Sequence, residues 1–229
     1  MSNPVLHLST CFVLNDSGRI VSTREPNPRP GPRFVLVRSS NSCVWGVRAD
    51  VPDEVASKID GLAREEPPVA DLRDAPLHAE RYRSIVENAT APVRVEAGPA
   101  FDFPDSLVQS EGIVVIEDER LLDHNFRGWV SGEIKAGSGP VMAIVKNGHP
   151  VSICFSARSS EVAAEAGVET TESFRGKGFA PLVTAAWAIA IRKSGKRPLY
   201  STSWTNHASL AVAGKLNLVA YASSWSLSD

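Results

Sequence analysis

The chain has 229 residues, 43% of them hydrophobic and 22% charged, with a formal net charge of −2. That length buries a real core as one large domain or two small ones, and the composition is ordinary for a globular protein. The near-neutral charge, without a Lys/Arg tract or a heptad pattern, argues against nucleic-acid and anionic-membrane partners, and no run of ~18 apolar residues is present to span a bilayer.

The opening Met1-Ser-Asn-Pro-Val-Leu-His-Leu8 has no basic run ahead of an apolar one, so no secretory signal is expected and the cytoplasm is the expected compartment. Cys11, Cys43 and Cys154 are odd in number, widely spaced and outside any C-x-x-C arrangement. That pattern points away from a disulfide framework and from a zinc site. Each cysteine reads as a small buried hydrophobe, and no metal is expected.

Leu6–Leu14 and Arg33–Val47 read as strands, separated by Arg24-Glu-Pro-Asn-Pro-Arg-Pro-Gly-Pro32, whose four prolines demand a loop. A helix is expected from about Pro52 to Arg64, capped by Asp50 with acids in its first turn. A second helix is expected over Leu77–Asn88, and Val93–Val95 is strand-like. Gly98-Pro-Ala-Phe-Asp-Phe-Pro-Asp105 reads as a loop and as the domain boundary, dividing an accessory α/β region (1–105) from a second domain (106–229). Gly112–Glu117 has a buried-strand pattern, and Arg120–Trp129 reads as helical.

The clearest hairpin follows. Val141–Val145 and Val151–Ser156 flank Asn147-Gly148, the positive-φ pair of a type I′ turn. Gly167–Thr171 is a short strand candidate. A helix from Phe179 to Lys193 ends with Arg192, Lys193 and Gly195. Leu199–Ser203 reads as a strand, Ala208–Leu216 as a helix and Leu218–Ser226 as a closing strand. The order makes a mixed α/β fold.

Chemistry concentrates at Arg175-Gly-Lys-Gly-Phe-Ala180, between a strand and a helix. The first N–H groups of a helix have no intrahelical partner. Gly176 and Gly178 leave the backbone approachable, and Arg175 and Lys177 add charge, so the turn suits phosphates. A P-loop is excluded because Gly178, not Ser or Thr, follows Lys177; a dinucleotide fingerprint is excluded by Pro181. Taken alone, such a turn is more often a plain Gly-rich connection.

Arg175, Gly178 and Ala180 resemble the Gln/Arg-x-x-Gly-x-Gly/Ala motif of the GNAT superfamily of acyl-CoA-dependent N-acetyltransferases. Asn206-His-Ala-Ser-Leu-Ala-Val-Ala-Gly-Lys-Leu-Asn-Leu218 is similar to that family's Asn-x-x-Ser/Ala and Lys-Leu-Gly-Phe element. The resemblance covers about residues 112–229. It implies a mixed, mostly antiparallel sheet flanked by helices, here with an N-terminal extension, and transfer of an acetyl group from acetyl-CoA to a small-molecule or peptide amine. By the same resemblance the N–H groups of Gly176, Lys177, Gly178, Phe179 and Ala180 hold the pyrophosphate. The backbone of Val168–Thr170 pairs with the pantetheine arm and offers an oxyanion donor. Asn206 and Ser209 bond the pantetheine, although Asn206 suits a helix N-cap equally well.

Two positions depart from the family pattern. Ala213 stands where a Tyr often protonates the departing thiolate, though a thiol of pKa about 8.5 leaves unaided near neutral pH. Asn217 replaces a Gly, and Asn tolerates the αL geometry required there. Glu169 is the candidate base, since it lies beside the expected thioester, with a surface or ion-paired role as the alternative. His207 reads as an exposed helix-start residue, His124 and His149 receive no role, and Trp204 and Trp225 line an acceptor pocket or the core. A catalytically silent CoA-binding module and an acyltransferase for a longer acyl donor remain open. So do three roles for residues 1–105: completing the sheet, shaping the acceptor site, or making a homodimer contact.

Overall fold

A computed structural model describes residues 2–89 and 91–229. Its helices are α1 (Pro4–Cys11), α2 (Asp53–Ala63), α3 (Ala79–Ala89), α4 (Phe179–Lys193) and α5 (His207–Lys215). Its strands are β1 (Phe12–Leu14), β2 (Ile20–Thr23), β3 (Phe34–Arg38), β4 (Cys43–Val47), β5 (Arg94–Asp102), β6 (Ile113–Ile116), β7 (Val141–Lys146), β8 (His149–Ser159), β9 (Ala163–Thr170), β10 (Arg197–Ser201) and β11 (Val219–Ser228). β1 and β2 form a small ribbon, and the other nine make one sheet in the order β4-β3-β11-β5-β10-β9-β8-β7-β6. Only β9 and β10 pair in parallel within it, so the sheet is mixed and mostly antiparallel as expected.

The hairpin at Asn147-Gly148 forms with both residues at positive φ, 51° and 78°, which the right-handed strand twist favours. α4 runs over the expected residues. Val183, Trp187 and Ile191 recur every four residues on one face and pack on β7, β8 and β9. Burying each such side chain contributes about 1.5–3 kcal/mol. Asn217 sits at φ 51°, the αL position expected for it.

Several expectations are corrected. Residues 6–11 are helical, not extended. Asn3 Oδ1 accepts from the Leu6 N–H at 2.9 Å and Pro4 fills the first turn, so an Asn-Pro start nucleates α1. Arg33–Val47 is a hairpin of two strands rather than one strand. Asp50 does not cap α2; it pairs with Arg48 at 2.7 Å, and Pro52 occupies the cap without a side-chain bond. Arg120–Trp129 forms one short 3₁₀ turn, Glu119–Leu121, followed by turns.

The largest correction concerns residues 98–102, expected as a loop. They belong to β5, which lies between β10 and β11. A Cβ on Gly98 would sit 1.7 Å from the Thr202 carbonyl oxygen, so the glycine is there for close backbone approach and not for a turn. The N-terminal half therefore completes the sheet of the C-terminal half. The division expected at residue 105 falls just after a central strand.

Parity along β5 sorts the layers. Phe101 joins the α4 cluster and Ala97 packs against the cluster of α2 and α3, while Ala100 joins Leu8 of α1. α2, α3 and α4 thus cover one face, and α1 covers the other. Among the described residues no helix is long and apolar enough to cross a membrane.

Candidate active site

β9 and β10 pair through only three rungs, ending at Leu199↔Glu165. Past that rung β9 continues to Thr170 paired only with β8, so its edge toward β10 is open from Ala166 onward. A groove of about 790 Å³ fills the opening on the α4 face. Its walls are Val168, Glu169 and Thr170 of β9, Arg175, Gly176, Gly178, Phe179 and Ala180 of the glycine turn, and Asn206 and Ser209 of α5. Ten residues singled out in the sequence are thus brought together. Lys177 is not in the wall; its Nζ lies over the Phe174 ring, 4.4 Å from the centroid.

Gly176 and Gly178 have φ of 76° and 78°, and a Cβ on either would meet open space. The glycines are therefore used for backbone geometry at the mouth of α4, whose first turn holds no acidic residue. The resulting row of unpaired N–H groups, with the helix dipole behind it, favours an anion. Arg175 is fixed by a bond from Nε to the Thr170 carbonyl at 3.3 Å.

Asn206 caps α5, its Oδ1 accepting from Ser209 N at 3.0 Å. Its Nδ2 makes no hydrogen bond among the described residues. Ala213 is buried in the core behind α5 and is not part of the wall. The groove does contain a phenol that the sequence pattern does not reveal. The Tyr200 hydroxyl lies 2.7 Å from Ser209 Oγ, and burial raises its pKa, with the Ser209 bond opposing. Its register in β10, opposite Phe101 of β5, is the signal that places it, and that strand reads locally as a loop. The Glu169 carboxyl is raised, first by partial burial and then by the charge of Glu133, although its side chain remains solvent-accessible.

A second cavity, about 890 Å³, opens on the α1 face. Ser224 and Ser226 of β11 lie along it, Pro30–Pro32 wall it, and Trp204 lines it with Arg73 stacked 4.3 Å over its ring. Trp225 instead packs in the core against Phe34 and Tyr82. Ser201 and Thr202 line both cavities, so the two meet at the end of β10. His207 is exposed at the start of α5, and the rings of His124 and His149 stack at 4.1 Å away from both cavities.

The apex of the splay holds a buried polar cluster. Glu165 accepts from Cys11 Sγ at 2.9 Å and from Ser201 Oγ, and Arg158 Nη1 lies 3.4 Å away. Burial opposes its charge, but Arg158 foremost holds the carboxyl at about 2.

A family model for GNAT acetyltransferases matches residues 115–222. No curated protein matches the sequence. Among solved structures, a GNAT-family protein from Novosphingobium aromaticivorans superposes with a TM-score of 0.50 at 20% identity, covering 59% of this chain and 65% of that one. A GCN5-related N-acetyltransferase-like protein from Streptococcus suis gives 0.50 at 18%, covering 86% and 84%. A GCN5-related N-acetyltransferase from Sphaerobacter thermophilus gives 0.51 at 13%, covering 84% and 75%. At such identities the likeness is one of fold. The family match spans the strands, glycine turn and helices that build the groove, and it identifies residues 115–222 as a GNAT acetyltransferase domain, with which the fold likeness agrees.

Proposed function

We propose that the protein is an N-acetyltransferase, moving an acetyl group from acetyl-CoA to a primary amine of a small molecule or peptide by direct attack in a ternary complex. The observation that carries this reading is the splay past the Glu165–Leu199 rung, where a groove on one face and a cavity on the other meet at Ser201 and Thr202. Acetyl-CoA entering from one side and an amine from the other meet there.

In this reading the N–H groups of Gly176 through Ala180 hold the pyrophosphate, aided by Arg175 and Lys177. The open edge at Val168–Thr170 pairs with the pantetheine as an added strand, and one of its N–H groups stabilises the oxyanion. Asn206 contributes its unused Nδ2, and Ser209 its hydroxyl. The amine enters through the second cavity. As its nitrogen bonds to the acetyl carbon, Glu169 takes the amine proton, a task suited to a carboxylate whose pKa is raised. The carbon–sulfur bond breaks and the thiolate departs. The Tyr200 phenol lines the groove and, with its pKa raised by burial, offers a protonated hydroxyl to the departing thiolate. Residues 106–229 carry the acyl-CoA site, and residues 1–105 act as an accessory region that walls the acceptor cavity.

A catalytically silent acyl-CoA-binding module is the second reading, favoured by the buried methyl group at Ala213. Turnover of acetyl-CoA against an amine panel, read as free thiol, separates the two. Free thiol released only with amine present supports the enzyme. Binding without release supports the module, and no binding at millimolar acetyl-CoA removes both. Competition by longer acyl-CoA esters reports the acyl-chain preference.

A further inference from the structure

Three ligand-type side chains from distant parts of the chain converge at the apex of the splay. His7 and Cys11 are four residues apart on α1, so one face of the helix presents both. Glu165 comes from β9, 154 residues beyond Cys11. All three are buried, with exposures of 4%, 3% and 3%. Cys11 Sγ lies 2.9 Å from Glu165 Oε2 and 3.8 Å from His7 Nε2, and the three donor atoms fall within 4.8 Å of one another.

We infer that His7, Cys11 and Glu165 form a binding site for a divalent transition-metal ion of the zinc class. Imidazole, thiolate and carboxylate are the donors such an ion takes. A tetrahedral centre with bonds of about 2.0–2.3 Å holds neighbouring donors roughly 3.3–3.6 Å apart. The separations of 2.9 and 3.8 Å lie on either side of that range and the third is within 4.8 Å, so the three side chains close on an ion by modest movements.

His7 is the second observation. Among the described residues the only polar atom in hydrogen-bonding range of its ring is the Cys11 sulfur, at 3.8 and 4.0 Å. A buried imidazole with so weak a partner is costly, and a metal bond satisfies one of its ring nitrogens. The site also has a path. His7 and Cys11 line the second cavity, which supplies entry and leaves a side open for a fourth ligand. Outer partners are in place, since Ser201 donates to Glu165 Oε1 and Arg158 approaches Oε2.

Arg158 is the feature that opposes a cation. Its other amino group, however, pairs with Glu25 at 2.9 Å. A Cys11 thiolate, Glu165 and Glu25 carry three negative charges, which Arg158 and a divalent ion balance. The competing arrangement, a protonated His7 beside Glu165, balances charge without a metal and is an outcome of the test.

The full chain, freed of any affinity tag and stripped with chelator, is titrated with Co²⁺ and then Zn²⁺. Uptake of about one Co²⁺ per chain is expected, with visible absorption of a four-coordinate site and a near-ultraviolet thiolate-to-cobalt band, both abolished by Zn²⁺. Cys11→Ser loses the near-ultraviolet band, and His7→Ala weakens uptake roughly tenfold or more. Failure of the wild-type chain to take up a stoichiometric ion overturns the inference, whether or not the variants fold. So does a thiolate band that persists in Cys11→Ser. Neither readout involves turnover, so the site stands or falls apart from the acyl-transfer reading.

Discussion

Glu165 and Leu199 form the last rung between β9 and β10, and the residues just beyond them part to opposite sides of a cavity. In the proposed reaction, where that rung falls decides where the acyl group sits. It lies one residue before Tyr200 and two before Ser201, so the phenol faces the groove and the serine reaches the carboxylate at the apex.

Glu169→Gln keeps the side-chain shape and removes the proton acceptor. Turnover is expected to fall ~10²–10⁴-fold with acetyl-CoA affinity unchanged, because backbone groups hold the cofactor. The wild-type carboxyl is raised above its ordinary range, so the base is lost as pH falls through that raised value. The acid limb of the rate profile lies correspondingly higher than for an ordinary carboxylate, and it disappears in the variant. Equal turnover in Glu169→Gln transfers the role to water or another group.

Gly178→Asp places a carboxylate at the N-cap of α4. A Cβ here meets open space, and although φ 78° strains an L residue, Asp is among those that tolerate the left-handed region best, so the fold is retained at a modest cost. The same charge repels a pyrophosphate. Acetyl-CoA affinity measured by calorimetry is expected to fall more than about tenfold, with the melting temperature of the free protein within a few degrees of wild type. Undiminished affinity means the phosphates bind elsewhere.

Tyr200→Phe removes the hydroxyl that meets Ser209. The thiol's own pKa of about 8.5 limits how much a proton donor can add, so the loss in turnover is expected below ~10²-fold and even across neutral pH, where the raised pKa keeps the phenol protonated. A variant that binds more weakly but turns over normally makes the phenol a binding group.

Gly98→Val drives a side chain into the Thr202 carbonyl oxygen, which leaves no room for even a Cβ. The backbone of 202–204 rests on β5 through Trp204 N to Ala97 O at 3.0 Å. Unfolding free energy is expected to fall by more than about 2 kcal/mol, and acetyl-CoA affinity with it, because Asn206 follows this segment. Wild-type stability would mean that β5 yields without cost. Chemical denaturation reads the first effect and calorimetry the second.

Much of the site is legible in the sequence because it is local. Arg175–Ala180 form a turn whose glycines, cations and following helix are contiguous, and the Asn206 cap needs only the helix after it. Their chemistry follows from backbone rules that act within a few residues, so pattern alone reaches it. The Asn147-Gly148 hairpin is legible for the same reason. α1 is not read correctly from its apolar run, although its signal, Asn3-Pro4, is present. Hydrophobicity suggests a strand there, and the cap decides for a helix.

What sequence alone determined is therefore the family resemblance, the glycine turn, α4 and α5, and ten of the residues that line the groove. What only the tertiary structure decided is the place of the first hundred residues in the sheet. β5 carries Gly98-Pro99, which reads locally as a breaker, and becomes a central strand because β10 and β11 offer it partners on both sides. The convergence of His7, Cys11 and Glu165 is hidden for the same reason. Strand pairing and helix docking unite groups far apart in the chain, and no local spacing encodes that meeting.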